Sequence, residues 1–100
     1  MLHNINVDVF SKMIKESNTY VVDFRDKEEF LENKIEGSIN LPIEEIDKIL
    51  KIIPNKNSKI IVCCARGIRS IAAGEYLIEL GYKSVYNLES GMNIFFRKAR

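Results

Sequence analysis

The sequence predicts an α/β domain built on a mostly parallel sheet of five strands. Five short apolar segments rich in β-branched and aromatic residues alternate with segments whose apolar residues recur at helical spacing. The strongest of these segments, residues 59–63, is apolar almost throughout, as a central strand buried on both faces would be. At 100 residues, with no linker or repeat, the chain suits a single domain over residues 1–100.

The first half of the chain supplies three of the predicted strands. Residues 4–6 form a short first strand, and Asp8 can cap the helix that follows it. Residues 20–24 form a buried strand, after which Asp26 caps a short second helix. Residues 39–41 form the third strand, which a proline ends.

The second half supplies the two remaining strands, over residues 59–63 and 84–88. Apolar spacing predicts helices over residues 43–50 and 70–80, and a short final helix or turn over residues 91–98. A proline precedes the first of these helices and a glycine follows the second, which are common boundary signals. The alternation of elements is therefore complete from end to end.

Composition excludes several classes of partner. The formal net charge is +1 and the basic residues are scattered, so no global field points to nucleic acid. The longest apolar run, Ile60–Ala65, falls far short of the ~20 residues that span a membrane. The first residues lack the basic and apolar regions of a signal peptide. We expect a cytoplasmic protein with no membrane partner, in a compartment that keeps thiols reduced.

Two adjacent cysteines, Cys63 and Cys64, end the central strand. Neighbouring Cα atoms lie ~3.8 Å apart, which is too close for a relaxed disulfide. The one histidine, His3, is far away in sequence and there is no second cysteine pair, so we expect no metal site. Strand alternation turns Cys63 to the opposite face from Cys64, towards the core.

The segment after Cys64 has the features of an anion-binding loop. It joins a strand to a helix at the carboxyl edge of the sheet, where ligands bind in such folds. A tight loop there, which Gly67 permits, aims backbone N–H groups at one point, and Arg66 and Arg69 add positive charge. The backbone amides, the N-terminal end of the helix and the guanidinium groups would all favour the thiolate form of Cys64. Such a thiolate could attack a sulfane sulfur, phosphorus or arsenic.

This segment resembles the C-x-x-G-x-R-S active-site signature of rhodanese-like sulfurtransferases. The matching residues are Cys64, Ala65, Arg66, Gly67, Ile68, Arg69 and Ser70. Residues 21–30, 34–42 and 81–92 resemble further segments of the family in the same order, so the resemblance covers nearly the whole chain. It implies a three-layer fold with helices on both faces of the five-stranded sheet.

The resemblance also implies a role for each matching residue. Cys64 would accept and donate the sulfane sulfur, and residues 65–69 would form the loop that holds it. Arg69 would position the loop and the anionic donor, while Ser70 would begin the helix and brace the loop. Asp23 and Arg25 would be supporting residues near the floor of the pocket.

The implied partners are small molecules and thiols. The donor would be thiosulfate or a persulfide, and the acceptor cyanide, a thiol or a thioredoxin-like dithiol. No metal or organic cofactor is implied, and we expect a monomer or weak homodimer. The sequence departs from the family at Lys34, often histidine, at Ser90, usually glycine, and at Phe95, where tryptophan is common.

Two alternative functions remain open. Counted from Cys63, the spacing to Arg69 is the C-x5-R of cysteine phosphatases, which implies a phosphatase or arsenate reductase with Cys63 as nucleophile. Val62 stands where those families usually place histidine. The second alternative is a non-catalytic binding or sensor module that keeps the fold for recognition.

Overall fold

Five strands form one sheet in this computed structural model, which describes residues 1–98. The strands are β1 His3–Ile5, β2 Thr19–Asp23, β3 Ile39–Asn40, β4 Lys59–Cys63 and β5 Ser84–Leu88. Their order across the sheet is β1-β5-β4-β2-β3, and each pair of neighbours within the described residues is parallel. The predicted five-stranded sheet is confirmed, with β4 at its centre.

Helices connect consecutive strands and cover both faces of the sheet. The helices are α1 Val7–Met13, α2 Lys27–Glu32, α3 Ile49–Ile52, α4 Arg69–Glu79 and α5 Gly91–Lys98, with a 3₁₀ helix, Ile43–Lys48, leading into α3. No helix within residues 1–98 has both the length and the apolar character that crossing a membrane requires.

Element boundaries and caps differ from the predictions in several places. β1, β2 and β3 each end one residue earlier than predicted, and α4 begins at Arg69 instead of Ser70. Asn6, not Asp8, caps α1: its side chain accepts a hydrogen bond from the Val9 N–H at 2.9 Å, and Asp8 lies in the first turn. Asp26 occupies the cap position of α2, but its side chain makes no capping hydrogen bond. The helix predicted over residues 43–50 is a 3₁₀ helix as far as Lys48, with non-helical backbone angles at Glu45, and an α-helix only from Ile49.

The two faces of the sheet pack separate apolar clusters. On one face, Val22 and Val62 pack with Ile49 of α3 and with Leu77 of α4. The other face carries Cys63 among residues of α1 and α5. Successive strand residues point to opposite faces, so Val62 and Cys63 enter different clusters, as the alternation predicts. The following residue, Cys64, returns to the α4 face.

Candidate active site

A cavity of about 490 Å³ opens where β4 ends. Its lining residues are Arg25, Asp26, Glu29, Cys64, Ala65, Arg66, Ile68 and Arg69. Five of the predicted site residues from the segment of residues 64–70, here called the cysteine loop, therefore line one cavity. The remaining two, Gly67 and Ser70, are buried and do not line it. The acidic side chains of Asp26 and Glu29 were not predicted as part of the site.

Two glycines allow the cysteine loop to lie directly against the segment that follows β5. Gly67 has φ +79°, and a Cβ there would sit 2.0 Å from the carbonyl oxygen of Glu89. Gly91 has φ +83°, and its Cβ would sit 2.4 Å from the carbonyl oxygen of Ala65. Both positions combine a left-handed backbone with a close backbone approach, so only glycine fits.

The first turn of α5 fixes which way the peptide groups of the loop face. The Met92 N–H donates to the Cys64 carbonyl at 2.8 Å, and the Asn93 N–H donates to the Ala65 carbonyl at 3.0 Å. In a trans peptide the C=O and the following N–H point in opposite directions. Holding the Ala65 carbonyl against α5 therefore turns the Arg66 N–H towards the Cys64 sulfur.

The Cys64 sulfur is surrounded by hydrogen-bond donors. The Ser70 N–H donates to Sγ at 3.3 Å, and the Ser70 hydroxyl also lies 3.3 Å from it. Burial raises the pKa of the Cys64 thiol, but hydrogen bonds from Ser70 and from the backbone N–H groups of Arg66 and Gly67 outweigh it. The pKa of this thiol consequently lies below its ordinary value.

The predicted electrostatic role of the arginines needs correction. The hydrogen bonds of the loop and Ser70 account for the lowered pKa of Cys64, and guanidinium charge is not among its causes. Arg66 and Arg69 are exposed at the cavity, where water screens their charge from the sulfur. Their place is at the mouth, where an incoming anion would meet them.

Cys63 lies away from the cavity. Its side chain is fully buried on the opposite face, and its Sγ donates a weak hydrogen bond to the Val22 carbonyl at 3.7 Å. Burial, reinforced by the negative charge of Asp23, raises the pKa of the Cys63 thiol well above its ordinary value. A buried, protonated thiol is a core residue and a poor nucleophile.

Asp23 and Arg25 form a buried ion pair at the cavity, which Arg25 lines and Asp23 does not. Arg25 donates to the Asp23 carboxylate through Nε and through Nη2 at 2.8 Å, and it also donates to the carbonyl oxygens of Glu29 and Asn33. The guanidinium carbon lies 5.5 Å from the centre of the Phe96 ring. With its donors already engaged, Arg25 holds α2 and β2 together beside the cysteine loop.

Two features of the site were not predicted from the sequence. One is Asn87, which is fully buried on β5 and bonded to Ser70 and Gly67. The other is the packing of residues 89–93 against the cysteine loop. A polar residue within the apolar strand 84–88 was the available signal for the first, because buried amides need partners.

Comparisons with known proteins agree with this architecture. A family model of the rhodanese-like domain matches residues 6–98. A rhodanese-related protein from Thermoplasma volcanium is 34% identical, with a TM-score of 0.82, over 96% of this chain and 92% of that one. A rhodanese from E. coli, solved with anions, is 32% identical, with a TM-score of 0.69, over 75% of this chain and 89% of that one.

The curated relatives are longer proteins. Two tRNA uridine(34) hydroxylases, from Photorhabdus laumondii and Yersinia pestis, are each 29% identical, over 101 and 103 residues. The matches cover 96% and 98% of this chain but only 29% of each relative, so the chain spans less than a third of their length. By the family match over residues 6–98 and the likeness to the Thermoplasma protein, the chain belongs to the rhodanese-like domain family.

Proposed function

We propose that this protein transfers sulfane sulfur through a persulfide on Cys64. The observation that carries the proposal is the environment of the Cys64 sulfur at the cavity, with donors from Arg66, Gly67 and Ser70 and a lowered pKa. A thiolate is the nucleophilic form of cysteine, so this environment favours attack without a neighbouring base.

The first step loads the cysteine. The Cys64 thiolate attacks the outer sulfur of thiosulfate, forming a new S–S bond while the S–S bond of thiosulfate breaks. Sulfite leaves with the electron pair, and the terminal sulfur on Cys64 carries the negative charge. Backbone N–H groups converging on this point stabilise that anion, as such groups do for other anions in similar loops. A persulfide donor would react in the same way and release a thiolate.

The second step unloads the cysteine. Cyanide or an acceptor thiolate attacks the terminal sulfur, and the bond to Cys64 breaks so that the Cys64 thiolate leaves. A thiol of low pKa is the better leaving group in such exchanges, so the lowered pKa of Cys64 assists this step as well. The products are thiocyanate from cyanide, or a new persulfide from a thiol or a thioredoxin-like dithiol.

The residues that line the cavity carry charges of both signs. Arg66 and Arg69 would attract the anionic end of the donor, and the side chains of Ala65 and Ile68 would form the wall beside the sulfur. Asp26 and Glu29 place negative charge on the same cavity. We expect the sulfonate end of thiosulfate on the arginine side, with its outer sulfur towards Cys64.

The test combines an assay of thiocyanate formation with a measurement of the protein's mass. Purified protein treated with thiosulfate should gain one sulfur atom, which cyanide or a reductant removes, and it should produce thiocyanate from thiosulfate and cyanide. Cys64→Ser should lose both the added sulfur and the turnover. Cys63→Ser is the matched control and should keep both. Sulfur retained by Cys64→Ser, or lost only in Cys63→Ser, would contradict the assignment of the nucleophile.

The rival functions give different results in the same experiment. A C-x5-R phosphatase would need Cys63 as nucleophile, and Cys63 is buried on the other face of the sheet. A protein from Rhodopseudomonas palustris described as a possible tyrosine phosphatase has a TM-score of 0.89 but is 22% identical, a likeness of fold alone. No sulfur addition and no turnover with any sulfane donor would favour a binding or sensor module.

A further inference from the structure

Asn87 connects three parts of the site from a position outside the cavity. It lies on β5 and is fully buried. Its Oδ1 accepts a hydrogen bond from the Ser70 hydroxyl at 2.5 Å. Its Nδ2 donates to the Gly67 carbonyl at 3.3 Å and to Oδ1 of Asn4 on β1 at 3.0 Å. Ser70 in turn contacts Sγ of Cys64, so an unbroken hydrogen-bonded chain runs from the sulfur to the edge strand of the sheet.

The Gly67 carbonyl determines the orientation of the Asn87 amide. A backbone carbonyl can only accept, so it must face the NH₂ group and not the side-chain oxygen. The amide oxygen is thereby turned towards Ser70. A buried amide oxygen needs a donor, and the Ser70 hydroxyl is the group placed to supply it.

The Ser70 hydroxyl has one proton and two neighbours that compete for it. While Cys64 is a thiol, its S–H donates to the Ser70 oxygen and the hydroxyl proton goes to Asn87. When Cys64 ionises, its sulfur can only accept hydrogen bonds, and the Ser70 hydroxyl can donate to it only by turning its proton away from Asn87. The amide oxygen of Asn87 then loses its donor inside the protein.

We infer that Asn87 is a positioning residue that holds the Ser70 proton away from Cys64 and so opposes formation of the bare thiolate. In the persulfide the negative charge lies on the terminal sulfur, which the loop amides hold. The inner sulfur is then uncharged and does not need a hydrogen bond from the Ser70 hydroxyl. Asn87 would therefore favour the thiol and the sulfur-loaded form over the empty thiolate. This inference rests on Cys64 as the nucleophile of the proposed function.

The main experiment measures the Cys64 pKa from the pH dependence of its alkylation by iodoacetamide, located by mass spectrometry. Asn87→Leu removes the amide while keeping about the same volume, and Asn87→Ala removes it without filling the space. Both should lower the measured Cys64 pKa by about 0.5 to 1, the effect of releasing one hydrogen bond to the thiolate. Asn4→Ala, which leaves the bonds to Ser70 and Gly67 intact, should not change it.

A second pair of variants separates positioning from a general loss of structure. In the Ser70→Ala background the hydroxyl proton is absent, so Asn87→Leu should no longer change the Cys64 pKa. The same result is not expected if Asn87 acts only by holding the Gly67 carbonyl, because loosening the loop would act with or without Ser70. A pKa that rises or stays constant in Asn87→Leu, or falls equally in both backgrounds, would overturn the inference.

The wild-type protein offers a readout that needs no substitution at Asn87. The side-chain carbonyl carbon of Asn87, followed by NMR, should titrate with the same midpoint as Cys64, and this titration should vanish in Ser70→Ala. A carbonyl signal that does not change through the Cys64 midpoint would overturn the inference by itself. Neither measurement requires sulfur transfer, so failure of the proposed function would be seen separately.

The other ionisable groups around the site are the same in all these variants. They are Arg25, Asp26, Glu29, Arg66 and Arg69 at the cavity, Asp23 paired with Arg25, Cys63 on β4, and Glu89 on the segment packed against Gly67. Their effects on Cys64 cancel when variants are compared with one another.

Discussion

Replacement of Gly67 by alanine tests the central packing contact of the site. Two costs add at this position. An L-residue at φ +79° costs about 1 to 2 kcal/mol relative to glycine. The new Cβ would also lie 2.0 Å from a backbone oxygen that cannot move aside cheaply, and such overpacking costs about 1 to 3 kcal/mol. We expect Gly67→Ala to lower the free energy of unfolding by about 2 to 5 kcal/mol.

Gly37→Ala is the matched control. Gly37 has φ +83°, but a Cβ there would meet nothing within 4 Å. It therefore carries only the backbone strain, about 1 to 2 kcal/mol. Urea unfolding of both variants gives the difference, which isolates the contact between Gly67 and Glu89.

The rate of sulfur transfer should also differ between Gly67→Ala and Gly37→Ala. Displacing the cysteine loop removes a donor from the Cys64 sulfur, and a hydrogen bond to a charged group contributes about 1.5 to 3 kcal/mol, or roughly tenfold to a hundredfold in rate. Gly37→Ala should keep wild-type turnover. Equal stability and equal turnover for the two variants would refute the packing argument.

Three further predictions concern charge and protonation. The pH midpoint of Cys64 alkylation should lie below that of an ordinary thiol. Because the pKa of Cys64 is lower in the folded than in the unfolded protein, this thiol should add to the free energy of unfolding as pH rises from the folded pKa towards the unfolded pKa. Urea unfolding at several pH values should show this increase in the wild type and not in Cys64→Ser. Arg25→Ala should cost about 3 to 5 kcal/mol in urea unfolding, because it leaves Asp23 charged, buried and unpaired, whereas the exposed Arg97→Ala should stay within about 0.5 kcal/mol. Arg66→Gln should lower kcat/KM for thiosulfate roughly fivefold at low salt and less at high salt, and an unchanged value at low salt would show that Arg66 does not meet the donor.

Most of the fold could be predicted from local patterns. Strand and helix periods alternate clearly, and a parallel sheet follows from their alternation. The prediction of Asp8 as the cap of α1 was wrong, because Asn6 and Asp8 both have side chains that can cap a helix. The choice depends on where β1 ends, and its pairing with β5 sets that end at Ile5.

The site, like the fold, could be predicted from the sequence only in part. The cysteine loop lies in one continuous segment, so its residue types and spacing were visible in the sequence. Asn87 and Gly91 join it only because β5 is the neighbour of β4 in the sheet, a consequence of strand order that no local pattern encodes. The effect of Arg66 was overestimated for a related reason, since charge counted in sequence says nothing about exposure to water.

The mutual fit of Gly67 and Gly91 has a consequence for biosynthesis. Each glycine occupies space against the backbone of the other segment, so neither segment reaches its final shape before the other docks. During translation, Cys64 would therefore remain an unactivated thiol until the last helix has left the ribosome and folded. Ribosome-bound chains stalled when only residues 1–88 have emerged from the tunnel should alkylate at position 64 like a free cysteine, and enhanced reactivity in such chains would argue that the loop matures on its own.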